Sequence, residues 1–207
     1  MTQRAVFLDR DGTLHVERDF CRRPEELAVF AGVRDALWSL RDAGYRLVVL
    51  TNQSGIARGY LDEAMLARIH AELQARLDGA IDAFFHCPHL PEPDPAAGPN
   101  PYVQACACRK PADGLLRQAM DLLDLSPNGS WVIGDSARDL LATRAQPVRR
   151  LLVRSGKPVE ASLRELTRLH CEPEAVLDDL PAAARFILAA GRPPRDDAAR
   201  SINAPRA

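Results

Sequence analysis

The sequence predicts a three-layer α/β protein, in which a parallel central sheet carries helices on both faces. Short, continuous apolar runs are typical of strands that are buried on both faces. Segments with apolar residues at helical spacing separate these runs along the chain. In addition, polar residues follow several of the runs directly, at the sheet edge where parallel-sheet proteins bind their ligands.

The first half of the chain alternates between strand and helix patterns. The predicted strands span residues 5–8, 46–51 and 83–86. The predicted helices span residues 33–43 and 61–77. Gly44 ends the first helix, and Asp62 is the expected N-cap of the second.

The same alternation resumes after a proline-rich stretch. The predicted helices are residues 113–123, 137–145 and 181–190. The predicted strands are residues 131–134, 150–153 and 175–177. We expect residues 1–190 to form a single domain. Residues 191–207 are polar and rich in Pro and Arg, so we expect them to be a disordered tail.

The composition is that of an ordinary globular protein. The 207 residues carry a net charge of −1 and are 46% hydrophobic. A charge so close to zero is atypical of nucleic-acid-binding proteins, and the chain lacks the run of about 18 apolar residues that a membrane helix needs. Charged residues come too early for a signal peptide. We therefore expect a soluble, monomeric, cytoplasmic protein with no nucleic-acid or membrane partner.

Carboxylates follow two of the predicted strands. Asp9 and Asp11 come directly after the first strand, and Asp135 and Asp139 come after the strand at 131–134. Buried like charges repel one another, so a cation or a shared proton is expected between them. Oxygen ligands in an open arrangement suit Mg²⁺. For either motif alone, the alternative is a solvated acidic turn or a helix N-cap.

Hydrogen-bond donors and cations follow the other predicted strands. The residues that offer hydroxyl, amide and backbone donors to a phosphoryl oxygen are Thr51, Asn52, Gln53 and Ser54. Arg109 offers a bidentate fork and Lys110 a point charge, although one such pair is usually a solvated surface feature. Because the carboxyl ends of parallel strands share one edge, we expect these groups to meet in one anion-binding crevice.

Four residues of the proline-rich loop 87–108 have the spacing of a zinc site. They are Cys87, His89, Cys106 and Cys108. Three thiolates and one imidazole suit a closed, structural Zn²⁺ site, and the loop has little apolar material to hold it otherwise. The alternative is two pairs of reduced cysteines without a metal. His86 is expected to point away from this set, and His70 is expected at the surface.

Four segments together resemble the haloacid-dehalogenase superfamily of phosphatases. FLDRDGTL, VVLTNQSGIARG, CRKP and IGDSARD follow one another in the order of that superfamily's motifs. The resemblance implies a Rossmann-like fold, here without room for a large cap domain. It implies that Asp9 is the nucleophile and Asp11 the general acid and base. It also implies that Mg²⁺ is held by Asp9, the Asp11 carbonyl and Asp135, with Thr51 and Lys110 on the phosphoryl oxygens.

Within that superfamily, residues 51–59 and the cysteine arrangement most resemble the D-glycero-D-manno-heptose-1,7-bisphosphate 7-phosphatases. This resemblance implies a sugar-phosphate substrate in nucleotide-activated heptose biosynthesis. It also implies that the segment after the first motif, here Glu17 and Phe20, contributes to substrate binding together with Arg109. Histidinol-phosphate phosphatases match residues 51–59 less well, and a phosphatase for histidinol phosphate or for another small molecule is one alternative. A non-catalytic, zinc-stabilised interaction module is the other.

The chain departs from this family after the aspartate of the last motif. The family often has a lysine there, whereas this chain has Ser136. A cation is therefore missing next to the expected metal carboxylates, which could alter substrate specificity. The nucleophile, the acid and the metal ligands are all retained.

Overall fold

The computed structural model describes residues 2–92 and 100–191. The strands are β1 (Gln3–Leu8), β2 (Arg46–Asn52), β3 (Ala83–Cys87), β4 (Leu125–Gly134), β5 (Arg149–Val153) and β6 (Ala175–Leu177). They form one parallel sheet in the order β3-β2-β1-β4-β5-β6. The predicted fold class is confirmed. The tail predicted to be disordered, apart from Gly191, lies outside the described residues.

Within the described residues, six α-helices cover the two faces of the sheet. They are α1 (Val33–Asp42), α2 (Glu63–Arg76), α3 (Gly114–Leu123), α4 (Ala137–Leu141), α5 (Val159–Arg168) and α6 (Leu180–Ala190). Buried side chains of α1, α2 and α6 pack in one hydrophobic core, and those of α3, α4 and α5 pack in the other. None of the described helices is long and apolar enough to cross a membrane.

The sheet is buried on both faces, which explains the continuous apolar runs. In β1, Val6 and Leu8 face the core formed with α1, α2 and α6, whereas Ala5 and Phe7 face the opposite core. Successive side chains of a strand point to opposite faces, so a strand between two helix layers has apolar residues at every position. The central position of β1 directs the residues after it into the middle of the sheet edge.

Three elements differ from the sequence-based expectation. β4 begins at Leu125 because residues 125–126 already pair with β1, across a register shift that accommodates the polar residues before Trp131. α4 ends at Leu141 instead of 145, and the chain continues in turns. The helix α5 was not predicted, although Val159 and Leu166 are buried on one face. Its strongly polar remainder and its start after Pro158 concealed this periodicity.

Candidate active site and metal centres

The polar residues after β1, β2 and β4 meet at the carboxyl edge of the sheet, beside a cavity of about 300 Å³. Most of the predicted site residues line this cavity: Asp9, Asp11, Glu17, Phe20, Thr51, Asn52, Gln53, Ser54 and Arg109. Lys110 and Asp135 are buried directly behind its floor, in contact with these residues. The structure thus brings together residues that lie more than a hundred positions apart in the chain.

Lys110 is buried between two carboxylates. Its Nζ lies 2.7 Å from Asp9 Oδ1 and 2.7 Å from Asp139 Oδ1, and it donates a hydrogen bond of 2.6 Å to the Leu50 carbonyl. The residue is only 4% exposed, so it is not part of a solvated surface pair. Although burial opposes the charge, Asp139 and Asp9 raise the pKa of Lys110. The ammonium group is therefore a fixed positive charge beside Asp9.

Asp9, Asp135 and Asp139 form a buried acidic cluster, in which one carboxylate oxygen of each lies within 4.8 Å of the others. Burial, reinforced by the charge of Asp139, raises the pKa of Asp9 to about 6. Burial, reinforced by the charge of Asp9, raises the pKa of Asp135 to about 7. Oδ1 of Asp135 is buried without a hydrogen-bond partner among the described residues. Such a set of oxygens fits a hard divalent cation.

Asp11 is held by a separate set of buried partners. Its carboxylate accepts hydrogen bonds from Arg10 Nη2 at 2.8 Å and from Gln53 Nε2 at 2.8 Å. His15 Nε2 lies 3.2 Å away. Burial opposes ionisation, but the Arg10 guanidinium and the His15 contacts hold the pKa of Asp11 well below its usual range. In this arrangement Asp11 is ionised and acts as an acceptor.

Arg10 was not predicted as a site residue, yet it is only 1% exposed and organises the groups behind Asp11. It also donates to Gln53 Oε1 at 3.0 Å, and its Nη1 lies 3.3 Å from His70 Nε2. The expectation that His70 is at the surface is wrong, because its ring is half-buried and stacks on Phe84 at 4.6 Å. The only sequence signal for Arg10 was a charged residue between the two aspartates.

The end of β2 and the turn after it line the cavity and also hold neighbouring residues in place. Asn52 makes two hydrogen bonds of 3.0 Å with the backbone of Lys110, one through each atom of its amide. Gln53 donates to Thr51 Oγ1 at 2.8 Å in addition to Asp11. Asn52, which was predicted to bind substrate, therefore uses its amide to fix Lys110.

Ser136 is the N-cap residue of α4 and interacts with Asp139. Its backbone N–H donates to Asp139 Oδ2 at 3.0 Å, and its hydroxyl donates to the same oxygen at 2.5 Å. Both residues are buried. Ser136 thus orients the carboxylate that pairs with Lys110.

Cys87, His89, Cys106 and Cys108 also converge, as their spacing predicted. The sulfur atoms lie 3.2 to 3.6 Å apart, and Nδ1 of His89 lies 3.3 Å from the Cys108 sulfur. All the described cysteines are free thiols. A tetrahedral ion at about 2.3 Å from each sulfur needs sulfurs about 3.8 Å apart, so the cluster fits zinc. His86 instead lies 2.8 Å from Glu63, away from this cluster.

Several curated proteins that share one name are similar to this chain. The D-glycero-beta-D-manno-heptose-1,7-bisphosphate 7-phosphatase of Haemophilus ducreyi is 40% identical over 166 residues, which cover 78% of this chain and 88% of that protein. The protein of that name from Photorhabdus laumondii is 36% identical over 187 residues, 88% of this chain and 96% of its own length. The chain belongs to this heptose-bisphosphate phosphatase family. The resemblance inferred from the sequence motifs is confirmed.

Solved structures agree with this assignment to the heptose-bisphosphate phosphatases. A crystal structure of D,D-heptose 1,7-bisphosphate phosphatase from B. bronchiseptica, complexed with magnesium and phosphate, is 34% identical with a TM-score of 0.73. The matched region covers 90% of this chain and 99% of the chain in that crystal structure. The structure of the Burkholderia thailandensis phosphatase is 30% identical with a TM-score of 0.60 and the same coverage. The family model described as HAD-hydrolase-like matches residues 107–183.

Proposed function

We propose that this phosphatase removes the 7-phosphate of D-glycero-β-D-manno-heptose 1,7-bisphosphate, in the biosynthesis of nucleotide-activated heptose. The observation that carries the proposal is the pairing of buried Lys110 with Asp9, at 2.7 Å, beside a cavity in a member of this family. A carboxylate that lines a cavity, with a cation fixed against it, suits attack on a phosphoryl group. The β-heptose bisphosphate is the substrate that the relatives' names give.

The reaction proceeds in two steps, formation of an aspartyl-phosphate and its hydrolysis. An Asp9 oxygen attacks the phosphorus of the 7-phosphate, and the bond between phosphorus and the sugar oxygen breaks as that oxygen takes a proton from Asp11. A water molecule then gives a proton back to Asp11 and attacks the aspartyl-phosphate, which releases inorganic phosphate and regenerates Asp9. Lys110 and the Thr51 hydroxyl bind the phosphoryl oxygens, on which the transition-state charge is spread.

Asp11 must leave its buried partners to act as the acid. Bound to Arg10 and close to His15 it is ionised, because these contacts outweigh its burial and favour the charged form. Beside the negatively charged substrate and away from Arg10, the same carboxyl group is protonated more easily. The reaction therefore includes a movement of Asp11 between an ionised resting position and a protonated position next to the sugar oxygen.

Asp9, the backbone carbonyl of Asp11 and Asp135 would hold the Mg²⁺ in this proposal. Bound Mg²⁺ supplies positive charge, so that an anionic carboxylate can approach an anionic phosphate. The unpartnered Oδ1 of Asp135 and the mutual repulsion within the acidic cluster support this assignment. Asp139 stays on Lys110 and Ser136 and holds both of them in place.

The Cys87, His89, Cys106 and Cys108 cluster would hold a structural Zn²⁺. Cys108 directly precedes Arg109 and Lys110, so a metal bound by the four residues would fix the backbone that carries both cations. Arg109 donates to the carbonyl of His89 at 3.1 Å, which ties its guanidinium to the clipped loop. A metal at this cluster thus holds one wall of the cavity.

The remaining predicted substrate contacts are Arg109, Gln53, Ser54, Glu17 and Phe20, all of which line the cavity. The aromatic ring of Phe20 can pack on the sugar, and the polar groups can bind its hydroxyls. We propose that the protein acts as a monomer in the cytoplasm, where phosphorylated sugars are made. Neither the monomeric state nor the cytoplasmic location requires a residue of the cavity beyond those named above.

The test compares phosphate release from heptose 1,7-bisphosphate and from histidinol phosphate, with Mg²⁺ and at matched low concentrations. We expect kcat/KM to be at least about 100-fold higher for the heptose, which corresponds to about 2.7 kcal/mol of transition-state preference. A preference for histidinol phosphate would contradict the substrate assignment. Release from neither compound would contradict both substrate assignments and would leave a phosphatase for another small molecule or a non-catalytic module.

A further inference from the structure

The buried Arg10 side chain is hydrogen-bonded to two kinds of partner. Its Nε and Nη2 atoms donate to the two carboxylate oxygens of Asp11, at 3.1 and 2.8 Å. Nη2 also donates to Gln53 Oε1 at 3.0 Å, and Nη1 lies 3.3 Å from His70 Nε2. Arg10 is therefore held by the general acid of the proposed reaction and, independently, by two side chains that do not take part in proton transfer.

His70 is the acceptor in its contact with Arg10. A guanidinium group has N–H donors and no acceptor, so the His70 nitrogen that faces it carries no proton, and the proton of the neutral ring is on Nδ1. Burial and the Arg10 charge favour this neutral form, because they lower the pKa of His70 to about 3. The ring stacks on Phe84, with 4.6 Å between the ring centroids and 17° between the planes, which restricts the direction of the Nε2 lone pair.

The proposed reaction requires Asp11 to separate from Arg10. A carboxylate that is paired through both oxygens with a guanidinium group keeps its charge and does not carry a proton to the sugar oxygen. If Arg10 moved together with Asp11, this pair would stay intact. Gln53 donates to Asp11 as well, at 2.8 Å, so it loses a partner of its own when Asp11 moves. His70 on α2 bonds to Arg10 from a separate element and keeps its geometry.

We infer that His70 is a positioning residue for the proposed reaction: its Nε2 atom holds Arg10 in place, so that Asp11 leaves the guanidinium group when it moves to the sugar oxygen. The inference rests on the proposed function and adds a residue of α2 to it. Position 70 lies outside all four of the segments that resemble the superfamily's motifs, so those segments gave no signal for it.

The test separates the acceptor atom of His70 from its ring. His70→Phe keeps a ring against Phe84 and removes the acceptor, whereas His70→Gln keeps an amide oxygen near the place of Nε2 and removes the stacked ring. The quantity measured is kcat/KM for heptose 1,7-bisphosphate and for p-nitrophenyl phosphate. The sugar oxygen needs a proton to leave and the nitrophenolate ion does not, and kcat/KM includes no step after the leaving group departs.

We expect His70→Phe to lower kcat/KM at least about tenfold for the heptose but less than about threefold for p-nitrophenyl phosphate, because only the heptose needs the acid. His70→Gln should restore most of the lost activity. The control is His170→Gln, at an exposed histidine, which should change neither value. If the melting temperature shows that His70→Phe is not folded, His70→Leu is the second variant without an acceptor.

An equal loss on both substrates in a folded variant would overturn the inference, because His70 would then contribute only to packing. So would an unchanged His70→Phe, or a loss in His70→Gln as large as in His70→Phe. Fructose 1,6-bisphosphate, which also releases a sugar oxygen, separates these results from a failure of the proposed function. If the heptose is not hydrolysed but His70→Phe lowers kcat/KM selectively for the fructose compound, the heptose assignment is wrong and the inference stands. Hydrolysis of none of the three compounds contradicts both.

Discussion

Asp9 and Lys110 illustrate what the sequence could predict about single residues. Their chemistry was predictable, because Asp9 follows a buried strand and Lys110 is one of only two lysines among 27 basic residues. The partners of Asp11 were not predictable from the sequence, since the Arg10 side chain could equally have pointed to solvent. Only the packing of Gln53 and His70 around it makes Arg10 a buried donor. Residue types and spacing thus predict the reacting groups, but not the groups that orient them.

Asp9→Asn tests the role of the nucleophile. We expect phosphate release to fall at least about 1,000-fold, because the amide cannot form the aspartyl-phosphate. The melting temperature without Mg²⁺ should stay the same or rise, because one of three buried carboxylates loses its charge. Enzyme assays and calorimetry measure these two quantities.

The control for this substitution is Asp121→Asn, which removes an exposed carboxylate and should change neither quantity. An Asp9→Asn protein that keeps a tenth or more of the wild-type rate would exclude Asp9 as the nucleophile. A large drop in melting temperature would mean that the loss of activity reports unfolding instead.

The loop from β3 to α3 links the zinc-type cluster to catalysis. We expect Cys108→Ser, or removal of zinc with a chelator, to lower kcat at least about tenfold, because Lys110 is no longer held against Asp9. The Mg²⁺ concentration for half-maximal activity should change less than about threefold, since the acidic cluster comes from other elements. Metal content and steady-state kinetics give the comparison.

Cys171→Ala provides the control for that experiment, because Cys171 is a buried thiol in the core beneath α5 and far from the cluster in sequence. It should retain both its zinc and its turnover. Full activity in a zinc-free protein would refute the link between the loop and Lys110.

His70 on α2 predicts a pH effect on stability. Burial, with the Arg10 charge, lowers the pKa of His70 from 6.5 to about 3. The unfolded chain therefore binds a proton below pH 6.5 that the folded chain does not. The free energy of unfolding therefore decreases as the pH is lowered. Between pH 7 and pH 5 this contribution amounts to up to about 2 kcal/mol.

Urea unfolding at the two pH values measures this effect in wild type and in His70→Gln. We expect the loss of stability on acidification to be smaller in the variant. His170→Asn, at an exposed histidine, should behave like wild type. The same pH dependence in all three proteins would show that His70 titrates normally in the folded state.

The elements themselves were predictable where burial dictates the pattern. β6 was predicted to the residue, and β1, β2 and β5 to within two residues at each end, because strands between two helix layers must be apolar throughout. The helix α5 was missed because its few buried positions lie among charged residues. An exposed helix on the outer layer leaves a weaker signal than a central strand.

At the scale of the molecule, topology explains how distant motifs form one site. β1 is flanked by β2 and β4, so the residues that follow all three strands meet at one edge. Such convergence follows from a parallel sheet and could be predicted before any contact was known. In contrast, the sequence could not predict that the partners of Asp11 are separate from the acidic cluster, because this separation depends on side-chain packing.

The measurement that most directly tests the central claim is ³¹P NMR of heptose 1,7-bisphosphate during incubation with the protein and Mg²⁺. We predict that the resonance of the 7-phosphate disappears as inorganic phosphate forms, while the anomeric phosphate remains. The Asp9→Asn protein should leave both resonances in place. Loss of the anomeric phosphate first, or of neither phosphate, would contradict the assigned reaction.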